Sequence, residues 1–131
     1  MPNLKQHVSI GAIVGGGLNL AWQLHKLYDS PESPHGFWEV VNRLDFLELA
    51  AFAAIGVLCA ALPDMLEPAT NPNHRALLHS VCCGGAVTYG AFGTHTEKWR
   101  PEDRMTVRTA ALSYLSHLAL DSGTPKGLPV I

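Results

Sequence analysis

Four stretches of the chain are almost continuously apolar: Val8 to Trp22, Leu47 to Leu62, Ala76 to Gly93 and Val107 to Leu120. Alanine and leucine dominate them, and alternating β-branched or aromatic runs are missing, so the pattern predicts helices and no sheet. A first helix is expected from Lys5 to Tyr28, with the run Gly15, Gly16, Gly17 letting another helix approach closely. The prolines, serines and glycine of residues 29–36 predict a loop. A second helix is expected from Phe37 to Leu62, bent near Arg43 and stopped by Pro63, because the residue before proline is pushed out of helical geometry. Residues 64–73 hold two prolines and two asparagines and predict an irregular connection. Asn73 is the expected cap of a third helix, His74 to Phe92. Residues 93–103 predict a loop, and a last helix is expected from Pro101 or Glu102 to Leu120.

With 131 residues, the chain is long enough for one cored domain and too short for two. The fold expected over residues 1–131 is therefore a single all-α domain, a compact bundle of four to five helices with a polar centre. Charged residues make up only 15%, against about 25% in an average soluble domain. A net charge of −2 gives no basic footprint, so charge-driven binding to nucleic acid is not expected. The cysteines, Cys59, Cys82 and Cys83, have neither disulfide-framework nor zinc-knuckle spacing and read as reduced, small buried apolar residues. The glycine run interrupts the first apolar stretch, so no cleaved export signal is expected. Each apolar segment falls short of the roughly 20 residues of a spanning helix and carries or adjoins an ionisable group, which suits helices packed around a polar centre. Location at an inner membrane and location in the cytoplasm both remain open on this pattern.

The polar residues fall at the predicted helix ends. Asp64 and Glu67 follow the second helix, His74 and His79 open the third, and His117 and Asp121 close the fourth. Positions four apart share a helical face, so His117 and Asp121 can meet on one ion or pair with each other. Imidazole and carboxylate suit zinc, manganese or iron. In the stretch His-Arg-Ala-Leu-Leu-His-Ser, residues 74–80, five positions of regular helix turn about 140°, so His74 and His79 share a site only if the first turn is distorted. That places His74 at the cap and His79 one turn inside, with Ala76, Leu77 and Leu78 buried. Each residue also has a plain reading: a hydrogen-bonded core histidine, an Asp bonding its own turn, a carboxylate closing a helix. Buried charges need partners, however, and so many potential ligands in three short segments favour a joint site.

The segments Ala-Leu-Pro-Asp-Met-Leu-Glu-Pro (61–68), Asn-His-Arg-Ala-Leu-Leu-His-Ser (73–80) and Ser-Tyr-Leu-Ser-His-Leu-Ala-Leu-Asp-Ser-Gly-Thr-Pro-Lys-Gly-Leu-Pro-Val-Ile (113–131) resemble, in order and spacing, the blocks of the YdjM-like family. That family is described as LexA-regulated, membrane-bound, metal-dependent hydrolases, and it is remotely similar to zinc-dependent phospholipase C and the S1/P1 nucleases. The third block is the most specific, and His7 with Gly11 is a looser counterpart of an early histidine-glycine pair. The resemblance implies that Asp64, His74, His79, His117 and Asp121 are metal ligands or their neighbours. Leu66 stands where the family has its second Asp, Glu67 where it has His, and Leu78 where it has Thr.

These readings converge on a metal-dependent hydrolase, acting on a phosphoester of a small molecule or lipid through a metal-activated water. The expected ligands are Asp64, His79, His117 and Asp121, with His7 and His74 completing the set and zinc as the first choice of ion. Arg75 is the expected anion clamp, and Glu67 the expected general base. The competing reading is a non-catalytic, membrane-associated or scaffold bundle in which a structural metal staples helix ends. A third is an enzyme relic that lost one metal with the Asp replaced by Leu66. His25, His35 and His95 read as solvated, with His95 a late candidate ligand, and Trp22, Trp38 and Trp99 as core or interface anchors.

Overall fold

Asn3 starts the first helix. Its side chain accepts from the backbone amide of Gln6 while the Gln6 side chain accepts from that of Asn3, so two free donors are satisfied reciprocally. A computed structural model describes residues 3–68, 77–124 and 127–130, and in it helix α1 runs Leu4–Tyr28. The buried residues of α1 are His7, Gly11, Gly15, Asn19 and Gln23, one every four positions, which forms a seam along one side.

The second predicted helix is two. Helix α2, Phe37–Arg43, ends where Leu44 turns extended, and Asp45 caps helix α3, Phe46–Leu66, by accepting from the amide of Glu48. The expected bend near Arg43 is thus a full break. Pro63 does not stop α3 but sits inside its last turn, because proline withholds one N–H from the ladder while its own carbonyl still accepts, here from Glu67 at 2.8 Å.

Helix α4 covers Val81–Phe92 and starts later than the sequence suggests. Asn73, the expected cap, lies outside the described residues; Ser80 caps instead, its hydroxyl accepting from Cys83. Residues 77–80 form a turn, with Leu77 exposed and Leu78 half-buried, so the pair is not packed inside as expected. The carbonyls of Pro129 and Val130 accept from Val81 and Cys82, so the tail serves first-turn donors that a helix cannot satisfy itself. A short 3-10 helix, Thr94–Lys98, fills part of the predicted loop, and helix α5 runs Pro101–Ser122 with proline at its first turn.

The long helices alternate in direction. Gly11 meets Gly56 and Ala60, Gly15 meets Phe52, Asn19 bonds Glu48 and Gln23 bonds the backbone of Asp45, so α1 and α3 are antiparallel. A Cβ on Gly56 would run into the carbonyl of Gly11. Within the glycine run only Gly15 makes such an approach, and Gly17 has no neighbour within 4 Å. Helix α5 brings His117 to Ala60 and His7, with Arg104 and Arg108 at the other end beside Trp22. Helix α4 runs antiparallel to α5, with Gly84 near Leu118 and the Ala91 carbonyl accepting from Arg108.

The described residues are all-helical, and the bundle they form is polar inside. Among its largest fully buried side chains are His7, Asn19, His79, Thr109, His117 and Asp121, with Pro63 the one apolar member of that group. Large apolar side chains point out instead: Leu47 is 82% exposed, and Ile13, Leu58 and Met65 are also exposed. Helix α3, 21 residues long and mostly unburied, is long and apolar enough to cross a membrane by length and composition. None of the three cysteines is buried as expected: Cys59 and Cys83 are half-buried, Cys82 is exposed and all are unpaired, α4 covering only one of its faces with α5.

Candidate metal centre

The seams of α1, α3 and α5 end together. His7 comes from the first turns of α1, Asp64 from the last turn of α3, and His117 and Asp121 from successive turns at the end of α5; His79 enters from the turn before α4. His117 Nε2 lies 3.0 Å from His79 Nε2, 3.7 Å from Asp64 Oδ1 and 3.6 Å from Asp121 Oδ2. His79 Nε2 lies 3.3 Å from Asp64 Oδ1 and 3.7 Å from Asp121 Oδ2. His7 stacks on His117, ring centroids 3.9 Å apart, and sets Nε2 3.7 Å from Asp121 Oδ1. Two groups have the spacing of metal ligands: His7, Asp64, His117 and His79, His117, Asp121.

The outer nitrogens of the two central histidines are committed. His117 Nδ1 lies 2.7 Å from the carbonyl of Ala60, which only accepts, so that nitrogen carries a proton. Ala60 is three residues before Pro63, near the end of α3. His79 Nδ1 lies 3.1 Å from Glu67 Oε2, which in its carboxylate form also only accepts. Burial raises the pKa of Glu67, but hydrogen bonds from His79, Leu78 and Leu77 outweigh it and hold the group below the ordinary carboxylate value. In their neutral forms both imidazoles therefore turn Nε2 lone pairs toward each other at 3.0 Å, between two carboxylates. Such a pair repels unless a cation, a proton or a metal ion, sits between them.

The spacings suit a metal. Ligands at about 2.0 Å around a tetrahedral ion stand about 3.3 Å apart; His79 and His117 lie 3.0 Å from each other and 3.3 to 3.7 Å from each of Asp64 and Asp121. His7 Nδ1 is buried with no hydrogen-bond partner among the described residues, a state that costs free energy until some partner relieves it. The side chains of His79, His117 and Asp121 are at most 2% exposed, whereas Asp64 is 37% exposed, so the centre meets solvent on the Asp64 side.

Of the residues singled out in the sequence, His7, Asp64, His79, His117 and Asp121 are brought together, with Glu67 one shell out. Glu67 accepts from the amides of Leu77 and Leu78 as well as from His79 and so fixes the turn that carries His79. His74 and Arg75 lie outside the described residues. Leu66 is exposed, turned away from the cluster. His95 is remote, against Gly90 and Trp99, because the 3-10 helix closes the opposite end of the bundle. Two participants escaped the sequence reading: the Ala60 carbonyl, and Tyr114, whose hydroxyl donates to the Leu78 carbonyl and lies 3.1 Å from Cys83 Sγ. No sequence signal marked the first; Tyr three residues before His117 was the available signal for the second.

Compared with known proteins, the chain matches no family model, no curated protein and no solved structure.

Proposed function

We propose that this chain is a membrane-seated, metal-dependent hydrolase that cleaves a phosphoester with a metal-activated water. The observation that carries the reading is the facing pair of Nε2 atoms, each imidazole with its other nitrogen spent on a fixed acceptor, between Asp64 and Asp121. Two imidazoles and two carboxylates are the donor set that holds zinc, manganese or iron. His117 belongs to both candidate groups and has only Nε2 to give, so it would hold one ion at a time. A bound ion would supply Lewis acidity and lower the pKa of a bound water. The chain's own residues orient the imidazoles, bury His79, His117 and Asp121, and leave an approach beside Asp64. Glu67 belongs to the support of His79 rather than to proton transfer, since its oxygens are engaged and its pKa is lowered. The resemblance of the sequence blocks to those of the YdjM-like family favours the same chemistry, and Arg75, in the second block, would orient the anionic substrate.

The membrane placement rests on the packing. A polar interior, an apolar exterior and a 21-residue α3 of roughly 30 Å are what a helix bundle surrounded by lipid needs. Close approach of α1 and α3 through Gly11, Gly15 and Gly56 is the packing that works where apolar burial gives no driving force between helices.

The deciding experiment is metal content of protein purified in detergent without chelator or histidine tag, beside His117→Ala and Asp121→Ala, followed by a phosphodiester panel. One equivalent of metal lost in both variants, with wild-type hydrolysis that follows metal content, is expected; a folded wild type that stays metal-free after reconstitution overturns the reading. A second reading is favoured by the full burial of His79, His117 and Asp121: a closed structural ion stapling α3 and α5 to the turn before α4. It would give the same metal content with no hydrolysis by any metal-loaded form.

A further inference from the structure

The two ends of the bundle differ in kind. At one end lie the metal ligands, the turn 77–80 and the tail 127–130. The other carries α2, the 3-10 helix and the termini of α1, α3, α4 and α5 that meet there. Six of the nine lysines and arginines belong to that second end: Lys26, Arg43, Lys98, Arg100, Arg104 and Arg108. Of the other three, Lys5 begins α1 beside the metal end, while Arg75 and Lys126 fall in sequence between α3 and α4 and after α5. The aromatic residues divide still more sharply. Phe37, Trp38, Tyr89 and Trp99 are exposed at the second end, joined by Tyr28 and Phe46, whereas the metal end has Tyr114, which is buried.

These distributions are independent of the metal site, and membrane proteins sort on both. Lysine and arginine accumulate near helix ends on the cytoplasmic face, and amphipathic rings settle at the water-lipid boundary. Acidic residues contribute little to that rule, so the eight of eleven that share the second end, five between Asp29 and Glu48 and three between Glu97 and Asp103, do not reverse it. Because α1 and α3 are antiparallel and α3 is long enough to cross, the two ends face opposite sides of a bilayer.

We infer that the aromatic, cationic end sits at the cytoplasmic boundary and that the metal centre opens on the opposite face of the membrane. The inference rests on the membrane placement proposed above. It follows that the ion is loaded, and the anionic substrate approaches, from the non-cytoplasmic side, through the opening beside Asp64.

Cysteine accessibility tests this in the full chain expressed in a bacterial inner membrane. With Cys59→Ala and Cys83→Ser, the native exposed Cys82 reports the metal end, and Lys5→Cys in a background also lacking Cys82 reports it again. Trp38→Cys and Lys98→Cys in that second background report the other end. Carbonate extraction is run on every variant. The expected result is protein retained in the membrane pellet, with the Cys82 and Lys5→Cys forms reacting with an impermeant maleimide in cells whose inner membrane is intact. Trp38→Cys and Lys98→Cys should react only after that membrane is opened. Retention with the reverse pattern, or with both ends labelled alike, overturns the sidedness and leaves the membrane placement standing. Full release by carbonate overturns both.

Discussion

At the scale of single residues, the centre depends on side chains that orient ligands as much as on the ligands. Glu67 is the sharpest case, because a general base and a positioning carboxylate predict different losses. Glu67→Gln should weaken metal affinity by about 10–100-fold, the usual effect of removing such a partner, as read by competition with a chromophoric chelator. A base would instead lose turnover with affinity intact. The sign of its pKa shift agrees: a carboxylate lowered in the folded state supports the fold fully above its unfolded value, and that support is lost as pH falls through the folded one. Glu67 therefore holds His79 at neutral pH. Gly56 is the other decisive position. Gly56→Leu should destabilise at the upper end of the roughly 1–3 kcal/mol that overpacking costs, since the obstruction is the Gly11 backbone. Gly17→Ala, with open space around it, should stabilise by about 0.5–1 kcal/mol. Denaturant unfolding in detergent compares the two.

At the scale of elements, boundaries follow hydrogen bonds more closely than apolar runs. The run from Phe37 to Leu62 reads as one helix, yet Leu44 and Asp45 break it, because the Asp45 carboxylate caps α3 while its backbone amide and carbonyl bond the Gln23 side chain. That tertiary contact has no local signature. Helix α4 starts late for a similar reason: Ser80 and the returning tail satisfy its first turn, and Glu67 holds the preceding residues in a turn. Pro63 was legible as a disturbance, but that the Ala60 carbonyl three residues before it accepts from His117 depended on a helix nearly sixty residues away.

At the scale of the molecule, a bound ion would join elements that otherwise meet through repelling groups. Saturating metal at about 100 times the dissociation constant should add about 2.7 kcal/mol of stability. Chelation should accordingly lower the melting temperature of the detergent-solubilised protein by about 10 °C, and His117→Ala should not respond to chelator. A melting temperature indifferent to metal would mean that the donors are held by the fold alone.

The sequence by itself determined the all-helical class, the chain positions of the four long helices and the residues with ligand chemistry, because these follow from local apolar pattern, turn residues and side-chain type. It also carried the small-residue positions, though not which glycine would touch a neighbour. Only the tertiary structure decided that His7, fifty-seven residues from Asp64, closes the site, that His79 enters from a turn, and that the polar faces point inward. A four-residue spacing of histidine, glycine and asparagine marks one side of α1 equally well whether that side meets water or another helix. The choice is made by which partner can supply the hydrogen bonds and the close backbone contact, and those partners, Glu48, Asp45 and Gly56, lie on a different helix.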